Sequence, residues 1–147
     1  MAYQSGTKPN YEGSGGASGM DGDRSGGSGG GIIRLLVLNE LRLSSSKIRA
    51  NGHSGVQKNK VMGSGGGAGG TIHILTRSLK GESHIEARGG KGSSGGGGGG
   101  SGGRLFIKYS SGYKKDAQPE QSHSWRGFFS INGGEGGDVT EENHLQG

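Results

Sequence analysis

Apolar residues in this chain recur two positions apart in short runs, and glycine separates the runs. Dense apolar patches sit at 32–43, 71–79, 104–109 and 127–131. Alternation with period two is the signature of a strand with one buried face. One set of strands opens directly after glycine: Gly31-Ile32-Ile33-Arg34-Leu35-Leu36, Gly70-Thr71-Ile72-His73-Ile74-Leu75 and Gly103-Arg104-Leu105-Phe106-Ile107-Lys108. A second set ends in a glycine-containing turn: Lys47-Ile48-Arg49-Ala50-Asn51-Gly52, His84-Ile85-Glu86-Ala87-Arg88-Gly89 and Phe128-Phe129-Ser130-Ile131-Asn132-Gly133. Leu41 and Leu79 match between the two strands of the first two units.

The two strands keep their order in each unit, while the steps between units vary. Ile33 to Ile72 is 39 residues and Ile72 to Leu105 is 33; Ile48 to Ile85 is 37 and Ile85 to Phe129 is 44. Variation confined to connections is expected when the strands are the constrained parts. One strand pair buries too little to fold alone, so the units must stack. Stacking predicts ladders of Ile33 with Ile72 and Leu105, of Leu35 with Ile74 and Ile107, and of Ile48 with Ile85 and Phe129. These nine residues are the predicted core and assembly ladder. Ala50, Ala87 and Ile131 form a further match. The predicted fold is all-β: a short right-handed parallel β-solenoid of about three coils with long glycine-rich loops, the hand following the crossover rule. The competing architecture is a Greek key or sandwich, which accounts for strands but not for their recurring order.

The predicted organisation is a Gly/Ser-rich segment over 1–30, a three-unit solenoid over 31–137 (31–70, 71–103 and 104–137) and a polar, acidic tail over 138–147. Gly89–Gly103 is almost pure glycine and serine. The stretch 110–126 contains Pro119 and reads as an irregular excursion.

Composition sharpens this picture. Glycine supplies 38 of 147 residues, against a usual share of about 7%. Leu, Ile, Val and Phe together supply only 24, which is below about 20% and makes disorder the rival reading. Clustering of those residues favours thin strands instead. The glycine has three possible uses. It can be flexible linker, the default. It can form tight turns of positive φ, expected at Gly89-Gly90 and Gly133-Gly134. Or it can pack as extended, polyproline-II-like segments, which the missing Cβ permits. Without a Gly-X-Y period and with almost no proline, collagen is excluded.

The pattern of Gly-Gly, alternating strand, spacer, Ile-x-Ala-x-Gly-Gly and glycine tract is best carried by Gly65–Lys108. It resembles the glycine-rich repeats of large, mostly uncharacterised proteins of plants, protists and bacteria, and the likeness covers about residues 25–137. The resemblance implies a parallel β-helix-like fold, an extracellular or cell-surface setting and no defined activity. This chain is shorter than the long arrays it resembles.

The net charge is +5 and the pI near 9.6, which allows an anionic surface or polysaccharide as partner. The basic residues form no run. With no cysteine, disulfides and thiolate metal sites are excluded. No apolar stretch reaches the roughly 18–20 residues of a membrane span, since Arg34 interrupts Ile32–Leu38. Met1–Gly6 has neither a charged nor an apolar leader region, so no signal peptide is expected from it.

Candidate chemistry is sparse. The outward second-strand column of Arg49, Glu86 and Ser130 offers a cross-strand ion pair rather than paired carboxylates. His53, His73, His84, His123 and His144 show no metal-ligand spacing. Gly133–Asp138 fits a single Gly-Gly-x-Gly-x-Asp unit, whereas calcium rolls need consecutive copies. Asp21-Gly22-Asp23 reads as a turn. Gly90-Lys91-Gly92 lacks the Ser/Thr of a phosphate loop. Arg88-Gly89-Gly90 is a lone RGG, and Arg126–Ile131 departs from the aromatic RNA-binding strand at Phe129 and Ser130. Four threonines, Thr7, Thr71, Thr76 and Thr140, do not align as an ice-binding row would. No catalysis, cofactor or metal is therefore expected. A stack of strands with no firm polar cap exposes both ends, which points to a structural, self-assembling (filament-forming) or adhesive protein whose partner is itself. The alternative is a basic, glycine-rich nucleic-acid-binding protein, against which the scattered arginines weigh.

Overall fold

The computed structural model describes residues 11–19, 25–56, 63–109 and 125–138. Asp21-Gly22-Asp23, most of the 110–126 excursion, His123, His144 and 139–147 lie outside them, as do the first ten residues. The described residues hold no helix, hence none long and apolar enough to cross a membrane. They form four strands: β1 (Ile32–Arg49), β2 (Thr71–Glu86), β3 (Arg104–Tyr109) and β4 (Phe128–Ser130). All pairings are parallel, with β2 central, β1 along one side and β3 and β4 along the other. A Greek key or sandwich built on antiparallel strands is thereby replaced.

The register follows the apolar positions. Ile72 pairs with Ile33 and Leu105, Ile74 with Leu35 and Ile107, Ile85 with Ile48 and Phe129, and Leu79 with Leu41. A slip of one residue would turn each of these side chains to the opposite face. β1 and β2 are too long to run straight. Their pairing shifts between Val37 and Glu40 and again between Leu43 and Ser46, and Ser45 there adopts φ 44°. Opposite the second corner Gly81 takes φ 96°, and a Cβ on it would overlap the Leu43 carbonyl. Each long strand thus folds back as an arch. The Ala50 carbonyl, past the end of β1, accepts from the Gly70 N–H at the entry of β2 at 2.7 Å. Ala87, past the end of β2, accepts in the same way from Gly103.

The arches enclose the core of Leu43, Ala50, Ile72, Ile74, Leu79, Ile85 and Ala87, flanked by Ile33, Leu35, Leu41, Ile48, Leu105, Ile107 and Trp125. Ile72, Ile74 and Ile85 are completely buried, each contributing about 1.5–3 kcal/mol from apolar burial. One expected core residue is not there. Phe129 is 46% exposed, because β4 has a neighbour on its β2 side alone among the described residues.

The glycine tracts are not loops between strands. They are extended segments in a second layer: p1 (13–19), p2 (25–31), p3 (50–56), p4 (63–70), p5 (87–94), p6 (96–103) and p7 (131–138). Their hydrogen bonds recur every third residue. From p4, Gly63 donates to Gly95 just before p6, and Gly66 and Gly69 donate to Gly98 and Ser101 of p6; Gly65 and Ala68 donate to Ala17 and Ser14 of p1; Gly67 and Gly70 donate to His53 and Ala50 of p3. In return p4 accepts from Gly27 and Gly30 of p2, and from Gly90 and Ser93 of p5. Three residues per turn is the period of a polyproline-II helix, which has no internal hydrogen bonds and so turns every N–H and C=O outward to neighbours. Gly66 shows why glycine is required, for a Cβ there would lie inside the Gly90 carbonyl. Positive φ falls on Gly81, Gly95 and Gly96, the last two at the reversal between p5 and p6. Gly89-Gly90 and Gly133-Gly134, expected as positive-φ turns, are instead extended members of the layer, bonded through Gly89, Gly90 and Gly134. Part of the segment set apart as 1–30 joins the layer too, as p1 and p2.

Candidate assembly surface

Among the described residues, the outer edges of β1 and of β3 with β4 carry no strand. Parallel ladders leave a row of N–H and C=O groups at such an edge, which is a template for another strand. Each edge also presents the end of the core columns. On the β1 side these are Ile33, Leu35, Leu41 and Ile48, all half-buried; on the other side are Leu105, Ile107, Trp125 and the exposed Phe129. Exposed apolar side chains gather at the same two ends, Ile32, Leu36 and Leu38 on β1, and Tyr109, Phe128 and Ile131 on the other. Thus the nine residues of the sequence ladder split three ways. Ile72, Ile74 and Ile85 form the sealed middle, five line the two ends half-covered, and Phe129 stands open.

The outward face carries two columns that sequence reasoning passed over. Arg34 pairs with His73, which pairs with Phe106; Lys47 pairs with His84, which pairs with Phe128. Each ring pair meets edge to face, with centroids 4.8 Å apart for His73 and Phe106 and 4.3 Å for His84 and Phe128. Trp125 was also missed. It bridges to Gly81, stacks on Phe129 at 4.5 Å and donates its indole N–H to Ser83 Oγ at 3.2 Å. Its ring also lies against Gly127, where a Cβ would overlap it. The available signal was spacing, since Trp125 precedes Phe129 by the same four residues that separate Gly81 from Ile85.

Beside the strand ends lies a polar cleft of about 570 Å³ between p3, p5 and p7. Glu86 organises it. Expected to face outward, Glu86 is instead 5% exposed, because p3 and p5 continue past the strands and close over it. It meets Arg88 at 2.7 Å, Arg49 at 3.2 Å and Asn51 Nδ2 at 3.3 Å. Burial pushes its carboxyl up, but hydrogen bonds from Arg88 and Asn51 and the charges of Arg88 and Arg49 outweigh that, and the net shift is downward. A carboxylate so paired is a structural clasp, with no proton to give at neutral pH. Its contribution to stability is complete above the ordinary glutamate value of about 4.3 and is lost as pH falls through the lowered folded value. Glu86→Gln is expected to flatten the loss of melting temperature on acidification below pH about 4; a curve as steep as that of the parent would count against the clasp.

Glu40 is held below its usual value by hydrogen bonds from Lys80 and Arg42. Like Glu86, it is engaged by bases rather than by a second carboxylate. His73 and His84 lie eleven residues apart on β2 and His53 on p3, with His53 Nδ1 against Ser28 Oγ at 2.9 Å. No group of three metal-ligating side chains comes together among the described residues. The Gly133–Asp138 stretch is a leg of the glycine layer, where the Asp138 carbonyl accepts from Gly95.

No protein-family model, no curated protein and no solved structure matches this chain.

Proposed function

We propose that this protein is a structural, self-assembling element, a right-handed parallel β-solenoid of three coils whose copies stack end to end into filaments. Each coil consists of an incoming glycine leg, a strand arch and an outgoing glycine leg: p2, β1 and p3; p4, β2 and p5; p6, β3 with β4, and p7. The hand is that of the usual parallel crossover. The observation that carries the reading is the fit between the two open edges.

If β1 of a second copy follows β3 and β4 in the established register, Leu105, Ile107 and Phe129 fall on Ile33, Leu35 and Ile48 of the second copy. Outside, Phe106 and Phe128 fall on Arg34 and Lys47 of the second copy, a favourable cation–aromatic arrangement. Arg104 and Lys108 fall beside Ile32 and Leu36, and Ser130 beside Arg49. Like charges do not meet. A slip of two residues, which keeps the same faces inward, sets either Arg104 or Lys108 against Arg34 and is disfavoured. The contact is heterologous and does not close on itself, so it propagates. A filament of this kind suits the extracellular or surface setting that the repeat pattern implies.

Negative-stain electron microscopy across a concentration series tests the proposal. Filaments are expected, with an axial repeat of about 14 Å, three rungs of about 4.8 Å. Phe129→Asp should leave the monomer folded, since the site is open, and abolish the filaments. Isolated particles at every concentration would overturn the assembly reading, as would Phe129→Asp filaments indistinguishable from those of the parent.

A further inference from the structure

The hydrogen bonding around p4 is complete in five directions and vacant in the sixth. Going round the segment, p1 accepts, p2 donates, p3 accepts, p5 donates and p6 accepts. The alternation calls for a donor in the sixth position, between p1 and p6. The carbonyls left over are those of Gly63, Gly66 and Gly69, one per turn, and no described residue donates to them. Gly66 and Gly69 are buried, and a buried carbonyl without a donor is costly. No described residue fills the sixth position. A groove of about 520 Å³ runs there, floored by Ala68 and Gly69, walled by Tyr11–Ser14 on one side and Ser101–Gly102 on the other, with Arg104 at its end.

We infer that this groove binds one extended glycine-rich strand from another polypeptide, seated as the missing sixth neighbour. The strand would run as a polyproline-II helix and donate the N–H of every third residue to the carbonyls of Gly69 and Gly66. Those acceptors lie one turn apart, about 9 Å in such a helix, so a single straight segment reaches both. Its residues facing the floor must be glycine. Elsewhere in the layer p4 leaves its neighbours no space for a Cβ, as at Gly13 against Ala68, Gly16 against Gly65 and Gly52 against Gly67. Residues facing away carry no such demand. Gly98 lies one turn before the wall residue Ser101 on p6, bonded to Gly66 as Ser101 is to Gly69, and a Cβ there would meet nothing within 4 Å. No described residue occupies that space, which the added strand would approach. The groove reaches the sheet at Ile32 and Arg104, where β1 and β3 begin, but its acceptors lie on p4, and binding there does not require the stacking contact.

The probe is a synthetic peptide of Gly-Gly-Ser repeats, titrated into isotope-labelled protein and followed by amide chemical shifts. Saturable shifts are expected at Ser14, Ser101 and Gly102, and the same peptide N-methylated at every residue should give none. Gly98→Leu should keep the fold and weaken binding by about tenfold or more, the effect of overfilling a packed site with one side chain. Unmoved groove amides, shifts confined to β3 and β4, equal binding of the N-methylated peptide, or unchanged affinity of Gly98→Leu would each overturn the inference.

Discussion

Ile74→Asp should leave the chain unfolded under conditions where the parent is folded. Ile74 is fully buried in the central strand, between Leu35 and Ile107. The substitution removes the transfer energy of a buried isoleucine and opens a cavity, about 2–5 kcal/mol for an aliphatic truncation. It also buries a carboxylate with no cation in the core to receive it, at several kcal/mol more. The sum rivals the whole stability of an ordinary domain, about 5–15 kcal/mol. Two controls locate the cause. Ile74→Val should stay folded at a cost of about 0.5–1.5 kcal/mol. Leu36→Asp, on the exposed face of β1 where Leu36 is 74% exposed, should change stability by no more than about 0.5 kcal/mol. Far-UV circular dichroism and urea unfolding read all three. A folded Ile74→Asp, or an unfolded Leu36→Asp, would show that the strand faces are assigned the wrong way round.

The second large effect is expected from a single methyl group in the glycine layer. Gly66→Ala places its Cβ inside the Gly90 carbonyl, where the neighbour is backbone on a bonded segment and has little freedom to move. Overpacking of this kind costs about 2 kcal/mol or more. Gly98→Ala is the counter-case. Its Cβ meets nothing, and its φ is not in the left-handed region. By restricting the unfolded chain it should raise stability by about 0.4–1 kcal/mol. The two substitutions are chemically identical, so opposite signs in urea midpoint would come from packing alone. Equal, small effects at both positions would mean that the glycine segments do not hold the layer in solution.

This contrast bears on how the fold is held together. Its apolar core is small, and the arches alone give few side chains to bury. The glycine layer adds backbone hydrogen bonds, each net about 0.5–1.5 kcal/mol, at the entropic expense of ordering glycine. Close approach of backbones makes those bonds possible. Any Cβ between p4 and p5 would part the segments and release several bonds together, which is why single substitutions there are expected to act strongly.

Parts of this were legible in the residues. The register of β1, β2 and β3 could be read because period two and the glycine at each strand entry coincide in three places. The pairing of Leu41 with Leu79 followed from the same logic. The ion pair of Arg49 with Glu86 was legible as a cross-strand neighbour, but its burial was not, since the cover comes from p3 and p5 beyond the strands. Trp125 escaped notice because it stands outside any alternating run and pairs with a glycine, Gly81, which offers no side chain to match.

The sequence by itself determined which side chains lie on one face and which strands can stack. That information resides in side-chain alternation and spacing, both local properties. Only the tertiary structure decided the fate of the glycine, the exposure of Phe129 and the burial of Glu86. Glycine has no side chain by which a partner could be inferred, and its hydrogen bonds join segments as far apart as p1 and p4. Whether an apolar residue is covered depends on whether another strand lies beyond it, which is a property of the stack. The open acceptors of p4 belong to this second kind, because they follow from how six directions around one segment are filled.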